Sequence, residues 1–369
     1  MSILELKERI ENMPSDYKEI FNRFFVVSES TGPLKIPESF YEKVQKWFGK
    51  QGESLESLID RVEHQKIVRV FNKINYEEAL FNELRSRRPT AASGINVDKY
   101  IIDKKQGCDF CDLLNFTATD LGFSNANNKG RVQGKYWISG SNIAKCESAH
   151  SNIIALEHDP LHFSKEEIIE LFSLANKWFE GMQENRNELV YGFLGWNILE
   201  KAGASQVHRH VQVGLSDAPH HFGKVEKFLA EEMQYEYRYH SNYLDDLWKV
   251  HENLGLEITE EEGRGIFSLT PLKEKEALIK SATLEDAAPL VYRILRCYID
   301  KMGVNSLNVG AYLPKFRTTP KDSSVILRIV DRGDVNKKPV DIASWELYGA
   351  SVISSDPFYI AEEVKKSFS

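Results

Sequence analysis

Three features are missing from this chain of 369 residues: a cysteine-rich pattern, a long apolar run and an excess of positive charge. Its four cysteines, Cys108, Cys111, Cys146 and Cys297, are too few for a disulfide framework. No apolar run approaches the roughly 18 residues of a membrane helix, and residues 1–19 lack the apolar core of a signal peptide. The formal net charge of −8 argues against a surface that coats nucleic acid or binds membranes. We therefore expect a cytoplasmic protein without nucleic-acid or membrane partners.

The remaining composition is that of an ordinary globular protein, with 42% hydrophobic and 28% charged residues. The length allows one large or two medium domains. Because the chain is acidic overall, an anionic substrate would need a local cluster of cations. The segment Arg85-Ser-Arg87-Arg88 offers three guanidinium groups that suit phosphate oxygens, although a basic run taken alone is usually a solvated face.

The most informative stretch runs from residue 197 to residue 215. His208, His210 and Gln212 alternate there with mostly valine, and this period of two predicts a strand. Both imidazoles and the amide would then share one face, about 7 Å apart at each step. The small residues that precede them, Gly203 to Ser205, let backbone N–H groups approach an anion. This combination favours a chemical site, whereas a lone strand histidine would ordinarily serve local hydrogen bonding alone.

A second candidate site is the pair Cys108-Asp-Phe-Cys111. In a reducing compartment one Cys-x-x-Cys is more often a metal half-site or a redox pair than a structural feature. A thioredoxin-like redox pair would need a helix that opens at the second cysteine, and residues 112–116 do not favour one. We interpret Cys146 as a buried thiol without such a role.

The 197–215 stretch resembles the active-site signature of galactose-1-phosphate uridylyltransferase and its relatives, the transferase branch of the histidine-triad (HIT) superfamily. The residues that fall on the signature are Asn197, Gly203, Ser205, His208, His210 and Gln212, with Arg209 in place of the usual proline. The resemblance implies that His210 is the nucleophile and carries a covalent nucleotidyl group. Gln212 would hold a phosphoryl oxygen, and because an amide is no general acid at neutral pH, transfer to a phosphate acceptor is favoured over transfer to water.

The same resemblance implies roles for residues around the nucleophile. Ser205 and the backbone from Gly203 would hold the leaving phosphate, and Asn197 would orient a phosphate or the nucleophilic imidazole. A structural zinc ion would be bound by two cysteines, a distant histidine and the first histidine of the motif. These ligands are Cys108, Cys111, His158 and His208, with His162 as the alternative to His158.

Four further residues match the family's substrate contacts. Arg85 and Arg88 fall on an early motif whose arginines contact substrate phosphates. Asn142 falls near the position of a nucleotide-ribose contact, although Ile143 replaces the aspartate expected beside it. Glu346 falls on the position of a hexose contact, with a surface glutamate as the plain interpretation.

We predict an α+β protein with a HIT-like fold, in which two related halves have antiparallel sheets flanked by helices. The expected divisions are a helical N-terminal extension (1–64), a catalytic half (65–217) and a second half (218–369). The clearest single element is a helix over Ser164–Asn185, which opens with a capping box.

The expected function is nucleotidyl transfer from a nucleotide sugar to a phosphate or sugar-phosphate acceptor, in a homodimer. It most resembles UDP-glucose–hexose-1-phosphate uridylyltransfer. A nucleoside-diphosphosugar phosphorylase and a dinucleoside tetraphosphate phosphorylase are the alternatives in the same chemistry. A non-catalytic protein that binds zinc and nucleotide is the alternative from another class.

Overall fold

A computed structural model describes residues 2–87, 92–121, 130–217, 223–316, 324–338 and 349–367, with only the backbone for 86–87 and 223–228. Its strands are β1 (Phe25–Pro33), β2 (His64–Asn72), β3 (Glu78–Phe81), β4 (Trp137–Ser141), β5 (Ala149–Ala155), β6 (Tyr191–Ile198), β7 (His210–Ser216), β8 (Glu257–Glu260), β9 (Gly263–Phe267), β10 (Ala277–Ser281), β11 (Leu307–Tyr312), β12 (Val325–Asp331) and β13 (Ala350–Ile353). Its helices are α1 (Leu6–Glu11), α2 (Ser15–Phe24), α3 (Tyr41–Phe48), α4 (Leu55–Glu63), α5 (Val97–Lys105), α6 (Leu113–Phe116), α7 (Lys165–Asn185), α8 (Gly223–Tyr239), α9 (Tyr243–Asn253), α10 (Leu284–Arg296) and α11 (Pro357–Lys366).

The strands form two sheets, and the larger one joins the two halves of the chain. Nine antiparallel strands follow the order β4-β5-β7-β6-β11-β12-β10-β9-β8, so that β6 of the first half pairs with β11 of the second. A smaller sheet has the order β1-β2-β3-β13, with a parallel pair between β3 and β13. The predicted α+β fold with antiparallel sheets is confirmed, and the sheets of the two halves are one continuous sheet.

Helices cover one face of the large sheet, and the candidate catalytic side chains lie on the other face. The helix α7 packs against β4, β5 and β7, and α10 packs against β9 and β10. The capping box is present, since the Ser164 hydroxyl accepts from the Glu167 amide and the Glu167 carboxylate accepts from the Ser164 amide. Val211 and Val213 are fully buried, while Gln212 between them is only partly buried. Alternate residues of a strand point to opposite faces, so Gln212 faces away from the valines.

The N-terminal extension is only in part helical. Residues 25–33 form β1, which pairs with β2 from Phe25↔Asn72 to Pro33↔His64. The expectation of a helical extension over 1–64 is therefore wrong for residues 25–33, which follow α2 directly as a strand. The partner strand lies about forty residues further along the chain, and the ladder of hydrogen bonds with it outweighs the local pattern.

The motif strand is also shorter than the alternation predicts. It begins at His210, and His208 precedes it in the turn.

Within the described residues, no helix is both long and apolar enough to cross a membrane.

Candidate active site and metal centre

Two cysteines and two histidines from separate parts of the chain converge on one point. The ligand atoms of Cys108, Cys111, His158 and His208 all lie within 4.8 Å of one another. The Nδ1 atoms of His158 and His208 are 3.2 Å apart, and the Cys111 Sγ is 3.4 Å and 3.5 Å from them. Tetrahedral zinc, with bonds of about 2.0–2.3 Å, would place such atoms about 3.3–3.8 Å apart. The cluster therefore has the donor set and spacing to hold a metal.

The far nitrogens of both histidines orient the rings for this purpose. The Nε2 of His208 lies 2.8 Å from the Ala155 carbonyl, and the Nε2 of His158 lies 3.1 Å from the Ile101 carbonyl. A carbonyl can only accept, so each Nε2 carries the proton and each Nδ1 presents its lone pair to the cluster. Burial lowers the pKa of His208 to about 4, which keeps its imidazole neutral and able to ligate at neutral pH.

Of the two histidines left open by the sequence, the structure brings His158 to the cluster. His158 is buried in the cluster, whereas His162 is exposed and its Nδ1 lies 2.7 Å from the Asp159 carboxylate.

The expectation that Cys146 is a buried thiol is wrong. Cys146 is exposed, and its Sγ lies 3.3 Å from Nδ1 of His150 at the open end of β5.

His210 opens β7, two residues from His208 of the cysteine–histidine cluster. Its Nδ1 lies 2.7 Å from the His208 carbonyl, so Nδ1 carries the proton and Nε2 keeps a free lone pair. The side chain is buried, and burial lowers the pKa of the imidazole. The Phe110 ring, between the two cysteines in sequence, contacts His210 edge-on with centroids 5.2 Å apart. A neutral, oriented imidazole is the state that a nucleophilic nitrogen requires.

Beyond His210, the polar side chains continue along the same face. Gln212 pairs with Asn152 on β5 and with Gly195 on β6. Its side chain hydrogen bonds to His150, whose Nε2 lies 3.3 Å from the Asn142 amide nitrogen. Asn142 is thereby placed one contact from Gln212, through a histidine that the sequence did not single out.

The turn between β6 and β7 has an unusual backbone. Leu199 is buried with φ +61°, and Gly203 has φ +87°. Such a conformation costs a non-glycine residue on the order of 1–3 kcal/mol and is found mostly where function or packing requires it. The Leu199 carbonyl accepts from the Ala202 and Ala204 amides, and Ser205 is exposed beyond them. The turn thus presents Gly203 and Ser205 at the surface beside β7.

Asn197 has a partner that the sequence analysis missed. The Asn308 Nδ2 donates to Asn197 Oδ1 at 2.7 Å and to the Ala202 carbonyl at 2.8 Å, and Asn308 Oδ1 accepts from Arg332 Nη1 at 3.3 Å. The second half of the chain therefore holds the turn of the first half in place. The available signal was an asparagine inside the apolar strand Leu307-Asn-Val, which echoes Trp196-Asn-Ile.

Arg209 points away from the nucleophile, as an arginine at the proline position can. Its guanidinium group is fully buried, 2.5 Å from Glu167 Oε1, and lies over the ring of Trp137 at 5.1 Å and that of Phe163 at 5.9 Å. Glu167 is also the carboxylate of the capping box of α7. The motif strand and the N-terminus of α7 are thus joined behind the site.

The remaining candidate residues are only partly placed. Arg85 is exposed in a short 3-10 helix, Glu83–Arg87. Arg88 and Glu346 lie outside the described residues.

No protein-family model and no curated protein matches this sequence. Solved structures do match the fold. An ADP-glucose phosphorylase from Arabidopsis thaliana with bound ADP-glucose is 15% identical with a TM-score of 0.61, covering 79% of this chain and 96% of that chain. A GalT-like protein from the same plant is 14% identical with a TM-score of 0.58 over the same shares, 79% and 96%. A uridylyltransferase is 13% identical with a TM-score of 0.54, covering 65% of this chain and 87% of that chain.

At these identities the likeness establishes the fold. This chain has the α+β fold of these three solved structures.

Proposed function

We propose that this protein is a nucleotidyltransferase that works through a covalent nucleotidyl-His210. The observation that carries the proposal is the hydrogen bond from His210 Nδ1 to the His208 carbonyl, which leaves Nε2 as a neutral, buried nucleophile. The placement of the Gly203–Ser205 turn, Asn197 and Gln212 around β7 supports the same reaction.

The chemistry has two balanced steps. The Nε2 lone pair attacks the α-phosphorus of the donor, and the bond to the bridging oxygen breaks to release a sugar phosphate. A phosphate oxygen of the acceptor then attacks the same phosphorus, and the bond to Nε2 breaks. A phosphate leaving group needs no proton at neutral pH, which fits Gln212, an amide that can donate a hydrogen bond but is no acid.

The finer proposal is that the donor is a nucleotide sugar and the acceptor a phosphate or hexose 1-phosphate, as in UDP-glucose–hexose-1-phosphate uridylyltransfer. The motif resemblance and the fold likeness to an ADP-glucose phosphorylase support this class of donor. Arg85 and Arg88 would contact the phosphates, Asn142 the ribose and Glu346 the hexose. A homodimer and a cytoplasmic location stay predictions from the sequence.

The metal proposed for the cysteine–histidine cluster is zinc with a structural role. Four protein ligands would leave no position for a catalytic water. Its binding would fix His208 and, through the His208 carbonyl, the tautomer of His210.

Mass spectrometry of the intact protein tests the proposal. Incubation with UDP-glucose or ADP-glucose and no acceptor should add one nucleoside monophosphate, and His210→Gly should remove the adduct. The exposed His162→Gly is the matched control and should keep it. If the adduct persists in His210→Gly, His210 is not the nucleophile. If folded wild-type protein forms no adduct with any nucleotide donor, a non-catalytic nucleotide-binding protein is favoured.

A further inference from the structure

A second concave region lies on the same side of the large sheet, between strands of the second half and residues near the β2–β3 turn. It is a cavity of about 540 Å³, within the range of roughly 300–1,000 Å³ typical of small-molecule sites. The sheet contributes Tyr312 and Ile326 to its wall, the β2–β3 turn contributes Tyr76 and Glu77, and α9 contributes Leu247 and Trp248.

A straight row of residues connects this cavity with Gln212, two residues along β7 from the nucleophile His210. The strand registers place Gln212 beside Gly195, Gly195 beside Gly310 and Gly310 beside Arg328. Adjacent strands are about 4.8 Å apart, so the row spans about 14 Å. Gly310 and Arg328 also line the cavity.

The two glycines make the middle of this row a trench. A Cβ atom on either Gly195 or Gly310 would meet no described atom within 4 Å. Phe193 and Tyr312 form a pair on one side of them, and Asn197 and Asn308 form a pair on the other. Glycine weakens the interior of a strand and often marks a place where a ligand approaches the backbone closely. The open space above these two glycines allows such an approach.

At the far end of the row, two carboxylates hold the guanidinium group of Arg328 in place. Arg328 Nη1 lies 2.9 Å from the buried carboxylate of Glu276 and 3.7 Å from Glu77 Oε1. The indole N–H of Trp248, which lines the cavity and is 1% exposed, donates to no described atom. A buried indole N–H usually finds an acceptor, and a ligand oxygen in the cavity would supply one.

The charges and the wall limit what can bind there. Glu77 and Glu231 both line the cavity, and Arg328 is the one arginine or lysine among its described lining residues, so a second phosphate or a carboxylate would meet more repulsion than attraction. Most of the exposed wall is apolar, so an apolar substituent on the sugar gains more free energy there than a hydroxyl group does. The site favours an uncharged group that has one donor, one acceptor and an apolar end.

We propose that the trench and cavity bind the sugar phosphate that leaves or accepts the nucleotide, and that this sugar carries an N-acylamino substituent. The proposal rests on the proposed function. The sugar ring lies over Gly195 and Gly310, the amide N–H donates to Glu77, and the amide oxygen accepts from Trp248 or Arg328. The acyl carbons then contact the apolar wall of the cavity.

Calorimetric titration of the resting protein tests this without requiring turnover. N-acetylglucosamine 1-phosphate and glucose 1-phosphate differ only in the substituent at one carbon. We expect the N-acetyl compound to bind about tenfold more tightly, which corresponds to ~1.4 kcal/mol. Gly310→Val should remove the preference, because its side chain fills the trench without a clash and suits a strand. Trp248→Phe, which keeps a ring but loses the N–H, should reduce it.

Thr259→Val on the exposed edge strand β8 is the matched control and should leave both affinities unchanged. Equal binding of the two sugar phosphates by wild-type protein would overturn the proposal, as would a preference that survives in well-folded Gly310→Val. If the preference holds but no adduct forms on His210, the sugar site stands and the proposed transfer reaction is wrong.

Discussion

The side chains of Asn308 and Asn197 meet across the junction of the two halves, with Asn308 Nδ2 2.7 Å from Asn197 Oδ1. The same Nδ2 also donates to the Ala202 carbonyl. One amide from the second half therefore orients both Asn197, a candidate substrate-binding residue, and the turn that follows it. The half without the motif therefore takes part in building the site.

Asn308→Ala should lower kcat/KM by about 10- to 100-fold, because two acceptors lose their donor and each such bond contributes on the order of 1 kcal/mol. Asn308→Asp should be worse, since a carboxylate would face both acceptors without a proton to donate. Steady-state kinetics check this. Asn305→Ala, which removes a comparable hydrogen-bonded asparagine bound to Asp334, should affect stability more than turnover. Normal turnover by Asn308→Asp would contradict the role.

Purified protein should contain about one zinc ion per chain, as measured by inductively coupled plasma mass spectrometry. Cys108→Ser and His158→Ala should lose the metal and melt at lower temperature, because a bound metal would join three separate segments. His162→Ala should retain both metal and stability. Well-folded wild-type protein without metal would refute the site, and loss of metal in His162→Ala alone would refute the choice of ligand.

Arg209→Ala should reduce the free energy of unfolding by about 3 kcal/mol in urea titrations. It removes one partner of a buried ion pair and leaves Glu167 largely buried, a change that commonly costs about 3–5 kcal/mol. Arg264→Ala breaks the more exposed pair with Glu257 and should cost less than about 1 kcal/mol. Equal effects of the two substitutions would show that burial of Arg209 does not govern its contribution.

Arg88→Ala should weaken transition-state binding by about 1.5–3 kcal/mol if its guanidinium donates to a substrate phosphate. Arg85→Ala should act in the same direction. Since Arg85 is exposed, its removal should leave the melting temperature nearly unchanged. Kinetics with the donor that gives the His210 adduct provide the measurement, and a large loss of stability with normal turnover would favour a structural role.

The sequence alone determined the groups whose chemistry and spacing are local or family-specific. The motif with His208, His210 and Gln212, the Cys108–Cys111 pair and the capping box of α7 could all be identified before the fold was known. The structure brings His158 to the two cysteines and His208, where the family resemblance had placed it.

Tertiary structure decided the features that depend on contacts between distant segments. Only the pairing of β1 with β2 makes residues 25–33 a strand, and only the β6–β11 junction brings Asn308 to Asn197. The trench over Gly195 and Gly310 likewise exists because two strands more than a hundred residues apart align in register. Such contacts have no local signal, since a side chain's partners across a sheet are fixed by strand order and by the burial that the whole fold provides.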